Sequence, residues 1–304
     1  MGRALVVGGN GFLGAHLVDA LAADGWQVDV FDRFSTAPRY RASAPRALRG
    51  TFSAGDAIRE AVAGHDLIIH ALSATTPAQG LGGPQADVQA NLLPTLDLLG
   101  EAVRTGVGRV LFISSGGTVY GSAEGAVPED APLLPISPYG IGKVAIEHYL
   151  HYFAIEHGLP SAVLRVANPY GLRADATLPE FGLVSALLRA AAADGRATRL
   201  GDGSMVRDYL HVDDVVAQVR AVVADPAFSG PLNIGSGVGR SVQQIIEQVR
   251  ATTGAALPVD ERPAPASFVE HIVLDTSRFA TTFGQLLAVP LAEGIERTWR
   301  DWRR

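Results

Sequence analysis

Tyr139-Gly140-Ile141-Gly142-Lys143 sets a phenol and an ammonium four residues apart. On a helix that spacing puts both side chains on one face. A free phenol titrates near ~10 and is a poor base at neutral pH. A neighbouring ammonium and a positively charged cofactor ring would both favour the phenolate. Tyr139 could then take a proton from a substrate hydroxyl as hydride leaves the same carbon, with Lys143 as its partner. Taken alone, the same two residues also suit an ordinary solvated helix face.

Gly8-Gly9-Asn10-Gly11-Phe12-Leu13-Gly14 raises the odds of the chemical reading. Gly8 permits a tight turn, Gly11 lets the backbone approach a pyrophosphate, and Gly14 lets a helix pack closely. The free N–H groups of that helix, which opens at Phe12 and Leu13, then face the phosphates. The competing reading is a plain glycine-rich turn. Asp32, at the end of the second strand, could accept hydrogen bonds from the adenosine ribose and repel a 2′-phosphate, which favours NAD. Arg33 beside it could hold that phosphate, which keeps NADP open. Asp56 and Ala57, after Gly55, are placed to reach the adenine, and Ala71 follows another strand at the cofactor edge. Asp56 could equally cap a helix beginning near Ile58. Ser114-Ser115-Gly116-Gly117-Thr118 follows a further strand, and one of its hydroxyls could bond the reacting oxygen or merely satisfy the loop backbone.

These groups need a scaffold, and the rest of the chain supplies its signature. Apolar runs at Ala4–Val7, Val28–Phe31, Leu67–His70, Val110–Ser114 and Ala162–Arg165 read as strands covered on both faces. Helical patterns at Phe12–Ala23, Val88–Thr105 and Tyr139–His157 lie between them. The alternation predicts an α/β fold, a Rossmann-type doubly wound parallel sheet with the ligand along the strand C-termini. After Asn168 the pattern loosens. Pro169, Gly171 and Pro179 precede a helix near Leu183–Ala193, and short strands at Arg207–His211 and Leu232–Ile234 each lead into a helical run. Leu291–Trp302 reads as an amphipathic helix. The expected division is a dinucleotide-binding domain over 1–166, with returning segments near 205–236, and a smaller C-terminal α/β substrate lobe over 167–304.

The 304 residues and their 47% hydrophobic content suit an ordered globular protein with a large core. A net charge of −6 argues against nucleic acid or an anionic membrane as the main partner. The lack of cysteine excludes disulfides, a thiol nucleophile and Cys-based metal sites, and no metal is expected. The first strand runs straight into the glycine loop, which leaves no room for a signal peptide, and no apolar run is long enough to cross a bilayer. A cytoplasmic address follows by default.

Together these segments resemble the extended short-chain dehydrogenase/reductases, and within them the nucleotide-sugar epimerase/dehydratase group. The glycine loop is similar to that family's GxxGxxG, Asp66–Ala71 to its strand ending in His-Leu-Ala, Ser114–Gly121 to its SSS-x-x-VYG and Tyr139–Lys143 to its YxxxK. Arg165–Gly171 resembles its R-x-x-N-x-YG, Gly201–Gly203 with Arg207–Asp214 its GDG and RD(Y/F)(I/L)HVDD, and Leu232–Gly235 and Arg262-Pro263 also match. The resemblance implies NAD, Tyr139 as base, Ser73 and Thr118 near the sugar, and Asn168, Arg207 and Arg262 on a substrate diphosphate, where an arginine fork suits phosphate. Arg207 could instead pair with Asp208 or Asp213, and Arg262 could be a surface charge. His211, Asp213 and Asp214 read as structural, with one of the aspartates capping the next helix. A UDP- or dTDP-hexose substrate and a homodimer formed through Val88–Thr105 and Tyr139–His157 are also implied.

The departures narrow the chemistry. Gly116 stands where the family has its catalytic Ser/Thr, so Ser115 or Thr118 would substitute, or Tyr139 would act directly. Gly117 and Thr118 occupy the place of the acidic pair of sugar 4,6-dehydratases, and the decarboxylating relatives want a glutamate there. The epimerase–reductase cysteine is missing, and Ala264-Pro265 replaces the Gly-Asp after the family's Arg-Pro. What remains is a 4-epimerase, with a NAD(P)H-dependent 4-ketoreductase and a non-catalytic dinucleotide-binding scaffold or sensor as rivals.

Overall fold

The computed structural model describes residues 2–53, 55–75, 83–172, 182–193, 195–266, 268–285 and 288–303. Pro179 lies outside them. The chain opens with β1 (Arg3–Val7), α1 (Phe12–Ala23), β2 (Gln27–Asp32), β3 (Arg46–Arg49), α2 (Asp56–Val62) and β4 (Leu67–His70). Next come α3 (Gly83–Asp87), a π-helical turn over Val88–Leu92, α4 (Leu93–Thr105), β5 (Arg109–Ser115), β6 (Ala126–Val127), α5 (Pro138–His157) and β7 (Ser161–Val166). The second half holds β8 (Asn168–Tyr170), α6 (Leu183–Ala192), β9 (Ala197–Leu200), β10 (Val206–His211), α7 (Val212–Ala224) and β11 (Gly230–Ile234). It ends with β12 (Gly239–Ser241), α8 (Val242–Thr253), β13 (Val259–Arg262), β14 (His271–Leu274), α9 (Ser277–Phe283) and α10 (Leu291–Trp302).

Among the described residues, seven parallel strands form the main sheet in the order β11-β7-β5-β4-β1-β2-β3. The strand order reverses between β1 and β4, where Val7 pairs with His70, so a crevice opens beyond these two C-termini. Strand alternation explains the two cores. Ala4 and Val6 face the side covered by Leu17, Val18 and Leu21 of α1 and Val215, Val219 and Val222 of α7. Leu5 and Val7 face Ile58, Leu98, Leu99, Ile146 and Leu150 from α2, α4 and α5. Burial on both faces is why these strands read as unbroken apolar runs.

A separate cluster joins Leu187 and Leu188 of α6, Ile245, Ile246 and Val249 of α8, and Ile295 of α10. A second sheet, β12-β10-β14-β6 with β8 on β10, lies beside the cavity described below and draws β6 from the first half of the chain. Among the described residues, no helix is long and apolar enough to cross a membrane.

Two local expectations need correction. The single helix expected over Val88–Thr105 is interrupted by the π-helical turn just before Pro94. Proline has no N–H to donate and its ring crowds the carbonyl four residues back, and the wider turn relieves both. The cap of α7 is neither Asp213 nor Asp214 but His211, whose ring nitrogen accepts from the Asp213 N–H at 3.3 Å. The two aspartates instead sit in the first turn, where negative charge suits the helix dipole.

Candidate active site

The glycine loop is built for a dinucleotide. Gly8 takes φ of +83°, and a Cβ on Gly14 would lie 2.0 Å from the Gly8 carbonyl oxygen, so α1 starts hard against the turn. Gly11 is the N-cap of α1 and makes no side-chain cap bond, which leaves the first-turn N–H groups for an anion. The backbone of Asn10 donates to Asp32 at 3.1 Å, and that of Phe34 donates to its other oxygen at 3.4 Å. The Asp32 carboxylate is thereby fixed at the end of β2, and Arg33 is exposed beside it. Asn10 also accepts from the Arg39 N–H at 2.7 Å and holds the loop after β2, an organising role the sequence reading missed. Phe12 and Leu13 are half-buried at the start of α1. Ala71 extends the β4 edge by donating to the Val7 carbonyl at 2.9 Å. Gly55 caps α2, so Asp56 is the first helical residue rather than the cap, and its side chain lies outside the described residues. Ala57 is exposed.

Ser137, the N-cap of α5, accepts from the Gly140 N–H at 3.2 Å, and Pro138 follows it. The helix therefore begins one residue before Tyr139 and presents Tyr139 and Lys143 together. Lys143 is buried, donates to the Ile113 carbonyl at 2.9 Å, and sits 4.6 Å from the Phe112 ring centroid and 5.6 Å from that of Tyr139. Burial lowers the ammonium to about 8, while Asp87 and Glu147 oppose the fall. Burial pushes the Tyr139 phenol up to about 12, against a hydrogen bond from Ser115, and Asp87 adds to the rise. The sequence argument expected the ammonium to favour the phenolate. In the protein alone desolvation wins, and the phenol stays neutral at neutral pH.

A larger cavity takes in Tyr139 but not Lys143. It is lined by Phe12, Ser115, Gly117, Thr118, Tyr139, Asn168 and Arg207, with Tyr209, Phe268 and Val269 on the far side. Arg207 pairs with neither Asp208 nor Asp213. It donates to the carbonyls of Val206 at 2.8 Å, Glu270 at 3.2 Å and Val269. Asp208 is occupied by Ser236 and Gly237, and Asp213 by His211 and Arg297. Arg262 is exposed on β13 and does not line this cavity. Ser73 donates to the Thr75 carbonyl and lines a smaller cavity with His70, Asp87, Tyr139 and Lys143.

Gly116 has no room for a side chain, since a Cβ there would meet Leu274 at 2.6 Å and the Arg165 carbonyl at 2.9 Å. Thr118 turns its hydroxyl to the Ser115 carbonyl at 3.4 Å, while the Ser115 hydroxyl acts on the Tyr139 phenol and lowers it. Ser114 donates away from the crevice to Glu147. Glu147 holds Arg165 at 2.7 Å, Arg165 holds Tyr120 at 2.8 Å, and Tyr120 donates to Asn233 at 2.7 Å. The R-x-x-N, VYG and L-N-I-G segments thus supply one buried polar network beneath the site. The sequence reading also missed Asp87 and Asn91. Thr75 and Asn91 both donate to Asp87, and although Asp87 and Asn91 stand one helical turn apart, no local spacing ties Thr75 to them.

A glycine loop at a sheet's switch point, with Tyr and Lys on the helix across the crevice, defines a dinucleotide-binding protein of the short-chain dehydrogenase/reductase type. The family model described as "NAD dependent epimerase/dehydratase family" matches residues 4–235. UDP-glucose 4-epimerase of Mycolicibacterium smegmatis is 35% identical over 99% of this chain and 98% of that protein. dTDP-glucose 4,6-dehydratase of Streptomyces niveus is 30% identical over 99% and 93%. A solved UDP-glucose 4-epimerase from Thermotoga maritima, with UDP-glucose, superposes with a TM-score of 0.92 at 31% identity, covering 99% and 98% of the two chains. The chain belongs to the NAD dependent epimerase/dehydratase family, and its cofactor is NAD.

Proposed function

We propose that the protein is a nucleotide-sugar 4-epimerase with a UDP- or dTDP-hexose as substrate. The observation that carries this reading is the composition of the cavity around Tyr139. Among its described lining residues this larger cavity has the phenols of Tyr139, Tyr170 and Tyr209, with Ser115, Thr118, Ser137, Asn168 and Arg207, and no carboxylate, since Asp87 lines a separate, smaller cavity. Elimination of water needs an acid and a base beside the sugar. At the place of the dehydratase acidic pair, Gly117 is so close to Asn168 that a Cβ would lie 2.7 Å from its amide oxygen. Transient oxidation and return need only one proton acceptor, and Tyr139 fills that role.

The Gly8–Gly14 loop, Asp32 and the β4 edge would hold NAD, which when bound would supply reversible hydride acceptance at sugar C4. Tyr139 removes the proton of the C4 hydroxyl and later gives it back, so no proton is gained or lost over the cycle. Ser115 donates to the phenolate oxygen and steadies its charge. Lys143 keeps a positive charge beside the phenol and would hold the nicotinamide ribose once NAD is bound. Asn168 and Arg207 grip the diphosphate while the 4-keto sugar turns, and Arg262, exposed on β13 outside the cavity, takes no part in that grip. The exposed apolar residues Leu93 of α4 and Ile141, Tyr152 and Ile155 of α5 suit pairing of two copies through these helices.

The test is purified protein given UDP-glucose, UDP-galactose and their dTDP counterparts with no added cofactor. Interconversion of the C4 epimers, lost in Tyr139→Phe while bound NAD is retained, is the expected result. Net consumption of NAD(P)H with a keto-sugar would favour the reductase reading, and full activity in Tyr139→Phe would overturn the assignment of the base.

A further inference from the structure

Asp87 is a buried carboxylate, 4% exposed, at the end of α3. One oxygen accepts from Thr75 and from the Asn91 amide at 2.9 Å. The other points at α5, where a Cβ on Gly142 would lie 2.2 Å from it. Gly142 stands between Tyr139 and Lys143 in the helix, so the missing side chain is the seat of the carboxylate. Asp87, Tyr139, Gly142 and Lys143 line one small cavity with His70 and Asn91.

A buried charge survives only when paired or well hydrogen-bonded. Lys143 is buried and donates to the Ile113 carbonyl, a neutral group, so its charge needs an anion nearby. Resting on the catalytic reading above, we infer that Asp87 is a positioning residue for the reaction, the fixed anion that the gap at Gly142 admits beside the pair. A negative charge at this point favours the Lys143 ammonium and disfavours the Tyr139 phenolate, and both effects have that sign here. Asp87 therefore keeps Lys143 charged and leaves Tyr139 a phenol until positive charge arrives in the crevice. The other groups facing the pair are His70 from β4, neutral in its buried setting, Ser115 from β5, and Glu147 from α5, which is tied to Arg165.

The test is Asp87→Asn, which keeps the side-chain shape and can still accept from Thr75 and Asn91. Turnover is measured against pH, and the Tyr139 ionisation is followed separately as the tyrosinate ultraviolet signal missing from Tyr139→Phe. Both limbs of the pH profile are expected to move to lower pH by roughly one unit, and the tyrosinate midpoint to fall by a similar amount. Gly142→Ala, which crowds the carboxylate off the helix, should move them in the same direction. Loss of activity or stability with limbs and midpoint unmoved would overturn the inference. If no sugar nucleotide is turned over, the proposed reaction fails, while the tyrosinate titration still decides the role of Asp87.

Discussion

Ser115 and Tyr139 line one cavity, where the Ser115 hydroxyl lowers the phenol, while Thr118, three residues on, spends its hydroxyl on the Ser115 carbonyl at 3.4 Å. Because Gly116 has no room for a side chain, this pair decides which hydroxyl assists the base. Ser115→Ala should lower kcat by about a hundredfold or more, the scale of a lost proton-transfer partner. It should also move the acid limb of the pH profile upward, since the Ser115 bond lowers the phenol. Thr118→Ala should change kcat much less. Equal losses in steady-state assays would count against the distinction.

His70 should make the fold acid-sensitive. It is buried, held near 3 by burial with the Lys143 charge adding, against an ordinary value of 6.5. Thr95 donates to the Asn91 carbonyl at 2.6 Å, so it accepts from His70 Nε2 at 2.9 Å and the neutral ring has that tautomer. Between pH 6.5 and about 3 the unfolded chain binds a proton that the folded chain refuses, so stability falls as pH drops through that window. The loss is about 1.36 kcal/mol per unit at most. Urea midpoints at neutral and acid pH should differ less in His70→Gln than in the parent.

Breaking the buried Arg165–Glu147 pair should be costly. Both side chains are buried, and Glu147 also accepts from Ser114. Arg165→Met leaves a carboxylate without its counter-charge and should cost roughly 3–5 kcal/mol, more than the double variant Arg165→Met/Glu147→Met. Chemical denaturation of the three proteins tests the order.

Gly14→Ala should strip the protein of NAD. The new methyl would stand 2.0 Å from the Gly8 carbonyl, a backbone atom that cannot yield without moving the phosphate turn. The NAD released on denaturing purified protein measures this. Gly11→Ala, whose methyl would lie 3.1 Å from the same oxygen, should lose less.

Much of the framework was legible because it is local. The helices Phe12–Ala23 and Leu291–Trp302 and the strand Leu67–His70 have the limits that their periodicity marks, and other strands differ by a residue or two. Strand β3, Arg-Ala-Leu-Arg on an exposed edge, carries no apolar run, and β6 is two residues long. Such strands exist only because a neighbour's backbone is there to pair with, which no window of sequence contains.

The glycine loop and the Tyr139/Lys143 spacing were determined by the sequence alone, because a turn followed by one helix, and two positions one turn apart, are properties of the local chain. Tertiary structure decided the rest. The seating of Asp87 against Gly142, the choice of Ser115 over Thr118, and the commitment of Arg207 to carbonyls near Val269 all join segments far apart in the chain. The ionisation of Tyr139 also belongs to this group, since desolvation depends on everything packed around the ring and not on the lysine four residues away.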